Sequence, residues 1–104
     1  MNKKLKDKWI KALRSGEYEQ GTMRLVTAGK RYDEFCCLGV LADVAGAEWN
    51  EYMEPCIGDE VVGSQGRLDL GYFKLPGKVE EHLVNMNDTG KSFKQIANWI
   101  EKNV

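Results

Sequence analysis

Seven residues of this sequence have the chemistry to hold a small charged ligand: Arg14, Tyr18, Gln20, Arg24, Asp43, Asn87 and Asp88. An arginine guanidinium matches phosphate oxygens with parallel N–H donors. Tyr18, Gln20, Gly21 and Arg24 form a polar, aromatic-bearing stretch just after a basic segment, where binding residues often concentrate. A small phosphorylated molecule, a nucleotide above all, is the ligand this set suits. Asp43 is the one charge in an otherwise apolar segment, and a carboxylate there needs a partner. Arg14 or Arg24 is the expected one, with ligand contact as the other role open to it.

Three catalytic arrangements fail on spacing or surroundings. Asp88-Thr89-Gly90 is the aspartic-protease triplet, but only fourteen residues follow Gly90 and they read as a capped helix. The paired carboxylates that let one Asp act as base and the other as acid have no scaffold here, so Asn87 to Gly90 reads as a polar loop between helices. Cys36 or Cys37 with His82 would make a nucleophile pair, yet both thiols lie in the most apolar stretch, where thiolate formation is opposed. Gly29-Lys30, Gly77-Lys78 and Gly90-Lys91 lack the earlier glycine and the following Ser/Thr of a phosphate-binding loop. Three cysteines, two adjacent and without CxxC spacing, fit neither a disulfide framework nor a zinc site. No catalytic residue, metal or cofactor is therefore expected.

The elements that must carry these residues follow from periodicity. Leu5, Trp9, Ala12 and Leu13 make a helical stripe ringed by lysines and closed by Gly16. TMRLVT, a turn at AGK and RYDEF read as a short hairpin. Phe35–Gly46 is apolar on every helical face, which predicts a central buried helix. Residues 47–75, punctuated by Gly58, Gly63, Gly66 and Gly71, read as two or three short strands. Val79, Leu83 and Met86 return to helical spacing, and Ser92 with Gln95 is a capping box opening the last helix. Trp9, Trp49 and Trp99 are assigned to the core. The sum is an α+β fold in one domain, residues 1–104, with about four helices on a small antiparallel sheet.

The formal net charge of −1 is a cancellation. Residues 1–31 carry nine Lys+Arg against three Asp+Glu; residues 32–104 carry six against thirteen. Within 32–69 there are nine acids and the single base Arg67, so acidic and basic faces must be separate. A sequence pI near 5.8 with that acidic centre disfavours a nucleic-acid backbone. The longest uncharged apolar stretch, Phe35–Ala42, is far short of the roughly 20 residues that span a bilayer, and the basic N-terminus lacks a signal peptide's apolar core. A cytoplasmic location away from membranes is expected.

The strings W-I-x-A-L-R-S-G-x-Y-x-Q-G (Trp9–Gly21), F-C-C-L-G-V-L-x-D (Phe35–Asp43) and N-D-x-G-x-S-F-x-x-I-A (Asn87–Ala97) together resemble a family of small proteins of tailed bacteriophages and prophages. Ala42 stands where many members carry a third cysteine, which weakens thiol or metal chemistry on that helix. The resemblance implies a phage accessory protein in a bacterial host's cytosol. With the charge map it leads to a non-catalytic binding protein, an anti-defence sponge for a nucleotide signal acting as a homo-oligomer, or alternatively an inhibitor that binds a host protein.

Overall fold

The computed structural model describes residues 1–29, 31–64 and 67–104; Lys30 of the expected turn and Gly66 of the punctuating glycines lie outside them. Helix α1 (Lys3–Ser15) starts where the Asn2 side chain accepts the Leu5 N–H at 3.0 Å and stops at Gly16, whose φ of +79° suits glycine. Its apolar stripe buries Trp9, Ile10 and Leu13. Helix α2 (Cys37–Val44) is the predicted central helix, trimmed at both ends, with Cys37–Ala42 fully buried. Its N-cap is Cys36, whose sulfur accepts the Gly39 N–H at 3.4 Å.

Helix α3 (Leu70–Phe73) corrects the strand reading of RLDLGYFKL. The Asp69 carboxylate accepts the Tyr72 N–H at 3.1 Å and nucleates a single turn that Lys74, at φ +54°, ends. Helix α4 (Gly77–Asp88) follows Pro76, and α5 (Phe93–Asn103) carries the predicted Ser92–Gln95 capping box. Helices α1 and α5 pack together, α2 lies against α1 and α4, and α4 against α5.

The strands are short. β1 (Glu19–Gln20), β2 (Val26–Thr27) and β3 (Glu34–Phe35) form one sheet, order β1-β3-β2, with β2 and β3 antiparallel as the hairpin reading requires and β1 parallel to β3. β4 (Glu48–Trp49), β5 (Pro55–Ile57) and β6 (Glu60–Val61) form an antiparallel meander, and β7 (Gly63–Ser64) pairs with β8 (Arg67–Leu68). The whole is an α+β domain of Cα radius of gyration 12.4 Å around one buried cluster centred on α2, close to the ~13 Å expected at this length.

Two contacts fix where the loop after β1 lies. Cys36 N–H donates to the Leu25 carbonyl at 3.1 Å, and a Cβ on Gly39 would run into that same carbonyl. Glycine at position 39 is what lets backbone lie directly on the first turn of α2.

Candidate binding site

The seven expected site residues fall into three places. Arg14 faces α5, donating to Glu101 Oε2 at 3.1 Å and Asn98 Oδ1 at 2.8 Å. That pair is exposed and holds the Glu101 carboxyl below its ordinary range; exposed pairs of this kind add little to stability and are screened by salt. Arg14 therefore does not share a hollow with Tyr18 or Arg24. The two arginines and Tyr18 of the expected ligand set do not converge on one pocket.

Gln20, Asn87 and Asp88 do come together, with Arg24 nearby. Asn87 is not in a loop: it lies in the last turn of α4 and is 1% exposed. Its Oδ1 accepts from the Cys37 N–H at 3.1 Å and from Gln20 Nε2 at 3.0 Å, and its Nδ2 donates to the Gly21 carbonyl at 2.8 Å. Gln20 Nε2 also donates to the Lys91 carbonyl at 2.8 Å. Asp88 Oδ1 accepts the Met23 N–H at 3.0 Å, holding Met23 at φ +70°. The hollow beside these groups measures only about 20 Å³, too small for a ligand. This amide is a joint between α4, α2 and the loop after β1.

Tyr18 and Asp43 form the third group, and it opens to solvent. Asp43 sits at the C-terminal end of α2, half-buried, and neither arginine reaches it. Oδ2 accepts the Tyr18 hydroxyl and Oδ1 accepts Trp49 Nε1–H at 3.2 Å. The expected Asp43–arginine pair is thus replaced by two neutral aromatic donors, which satisfy the oxygens but leave the charge. Burial first, and then the carboxylate beside it, keeps the Tyr18 phenol protonated well above its ordinary range, so it remains a donor.

The rings form a continuous wall. Tyr18 meets Phe35 edge-to-face with centroids 5.1 Å apart, and Phe35 meets Trp49 at 5.9 Å. In front of this wall lies a cleft of about 500 Å³ lined by Glu17, Tyr18, Glu19, Tyr32, Asp33, Phe35 and Asp43. Trp49 does not line the cleft but backs its wall, through the Phe35 ring and its bond to Asp43, rather than serving as plain core filling. The cleft holds four acids and no base among the described lining residues, with Tyr32 60% exposed at its edge. An aromatic wall around an uncompensated carboxylate attracts cations.

The nucleophile residues are placed apart from it. Cys36 and Cys37 are buried, and burial pushes the Cys36 thiol up to about 11 and Cys37 well above its usual value. His82 stacks on Trp99 at a centroid distance of 4.4 Å, whereas the Cys37 thiol points to the Leu83 carbonyl at 3.7 Å. Alkylation under native, mildly alkaline conditions should label half-buried Cys56 first and reach Cys36 and Cys37 only on unfolding; mass spectrometry of fragments cut after glutamate, which separates Cys56 from the other two, checks this. Because the folded Cys36 value lies above the ordinary 9.0, the stability from keeping that thiol neutral is full below about 9 and fades as pH rises through about 11. A second hollow, of about 560 Å³, lies along α1, lined by Lys4, Lys8 and Lys11 with Asn2 and the acid Asp7 among them, over Leu5, Val44 and Ala45. Sequence reasoning missed it as a groove, because only the fold brings α2's C-terminal end under α1's lysines.

Among the described residues no helix is long and apolar enough to cross a membrane. No curated protein and no solved structure matches the chain. A family model described as a domain of unknown function (DUF8296) matches residues 1–82. That span includes α1, α2 and every residue lining the aromatic cleft, and it ends within α4 before Asn87. The chain belongs to the DUF8296 family.

Proposed function

We propose that this protein is a non-catalytic binding module that takes an arginine-bearing segment of a partner protein into the Tyr18–Phe35–Asp43 cleft. The observation that carries this reading is the Asp43 carboxylate, held by Tyr18 and Trp49 with no cation beside it among the described residues. A guanidinium satisfies what the cleft lacks. It supplies the opposite charge, donates to Asp43 and stacks on the rings, which an ammonium does less well. The acids at Glu17, Glu19 and Asp33 steer a basic segment inward. In the phage setting that the motif resemblance implies, the partner is a host protein and the module its inhibitor.

Calorimetry with an arginine-containing peptide and its citrulline twin tests this. The arginine peptide should bind and the citrulline peptide should not, because citrulline keeps the shape and loses the charge. Asp43→Asn should weaken binding about tenfold, the worth of one charge-assisted hydrogen bond, while circular dichroism reports an intact fold. Equal affinity for the two peptides would overturn the reading.

A second reading, a sponge for a nucleotide signal, is favoured by the α1 groove. Lys4, Lys8 and Lys11 would face the phosphates there, and Leu5, Val44 and Ala45 the base. Including cyclic and linear nucleotides in the same calorimetry separates the two, since Lys8→Glu should abolish nucleotide heat and leave the arginine peptide unaffected.

A further inference from the structure

Glu80 is a buried acid that neither reading uses. It lies in the first turn of α4, is 5% exposed, and its Oε2 has no hydrogen-bond partner among the described residues. Its ionic neighbour is Arg67 Nη1, 3.6 Å from Oε1, beyond hydrogen-bond length, on a side chain 83% exposed. A carboxylate taken out of water with one oxygen unanswered is destabilising by several kcal/mol in the absence of a partner. Such a group persists where something else supplies the missing donor.

The surroundings specify the donor. Glu80 lines a hollow of about 400 Å³ with Arg67, Leu70, Gly77, Glu81 and Val84. Among the described residues there is no cluster of three His, Cys, Asp or Glu to hold a metal ion, which turns attention to an organic cation. Glu80 Oε2 asks for an N–H donor carrying positive charge. Arg67, anchored only loosely, offers a guanidinium to a carboxylate at the mouth. Leu70 and Val84 give apolar wall, and Gly77 contributes no side chain to fill the space. The size lies within the range of small-molecule sites.

We propose that this hollow binds a free α-amino acid with an apolar side chain: its ammonium on the Glu80 carboxylate, turned about its Cγ–Cδ bond so that the sealed Oε2 is presented, its carboxylate on Arg67, its side chain against Leu70 and Val84. The site shares no residue with the aromatic cleft, so it stands or falls independently of the proposed function.

Nitrogen-15 correlation spectra of the full chain, titrated with L-leucine, N-acetyl-leucine and isopentylamine, test it. Leucine should shift the amides of Arg67, Leu70 and Glu80 through Val84; N-acetyl-leucine, without the ammonium, should not. Isopentylamine should bind more weakly than leucine, and Arg67→Ala should erase that difference. Glu80→Gln should weaken leucine binding at least about tenfold. Arg67 is exposed, so its variant remains informative if Glu80→Gln fails to fold. The proposal is overturned if leucine at millimolar concentration leaves these amides unmoved, or if N-acetyl-leucine shifts them equally.

Discussion

Asn87→Ala is expected to lower the free energy of unfolding by about 3 kcal/mol, measured by urea denaturation. The substitution removes the side-chain partner of the Cys37 N–H and of the Gly21 carbonyl, and one of the two partners of the Gln20 amide, which keeps the Lys91 carbonyl. Of these, Gly21 and Cys37 are buried. Each orphaned buried group costs about 1–3 kcal/mol, and water reaching half-buried Gln20 offsets part of the total. Asn87→Asp separates the components. A carboxylate still accepts from Cys37 and Gln20 but cannot donate to Gly21, and it sets two acceptors face to face. It should therefore recover only part of the loss. A change below about 1 kcal/mol in the alanine variant would mean that this joint contributes no more than an average surface position.

Trp9→Ala should be at least as damaging, about 4 kcal/mol, because truncating a buried tryptophan removes transfer free energy and leaves a cavity. Trp9 is 0% exposed and also donates Nε1–H to the Cys37 carbonyl at 2.8 Å. Trp9→Phe keeps most of the packing and loses only the donor, so its cost should fall to about 2 kcal/mol. Cys37 is thus held at both backbone ends by side chains from other elements, its N–H by α4 and its carbonyl by α1. The Asn87→Ala and Trp9→Phe effects should be non-additive for that reason, since either change frees the same first turn of α2.

The periodic elements were readable from sequence because their signals are local. Asn2, Gly16 and the Ser92–Gln95 box mark helix ends by hydrogen bonds reaching only a few residues along the chain. The apolar run Phe35–Gly46 also allowed a buried strand, and its length of twelve residues decided for helix. Residues 47–75 were less readable, since strands of two or three residues carry too few positions for a period to show. There the Asp69 cap prevailed over an alternating apolar pattern and made α3.

The site divides along the same line. Residue type marked Tyr18, Gln20, Asp43, Asn87 and Asp88 as ligand-binding candidates and Asp43 alone as a group needing a partner, but pairing is a long-range property. Tyr18 and Asp43 lie 25 positions apart, and Gln20 and Asn87 lie 67 apart. An arginine was the natural partner for a lone acid on charge alone. Tyr18 and Trp49 took that place because the short β1 and β4 strands deliver them to the end of α2. Phe35, read as filling, became wall, and Trp49, read the same way, became its support.

The most direct test of the cleft's role uses the indole N–H resonances of the three tryptophans while an arginine-containing peptide is added. Trp49 Nε1–H is bonded to Asp43 in the cleft, whereas Trp9 Nε1–H is bonded to the buried Cys37 carbonyl at the opposite end of α2. The Trp49 signal should shift saturably with the peptide and stay still with its citrulline twin, while Trp9 remains fixed throughout. A stationary Trp49 signal at saturating peptide, or an equal shift with citrulline, would contradict a cation site at Asp43.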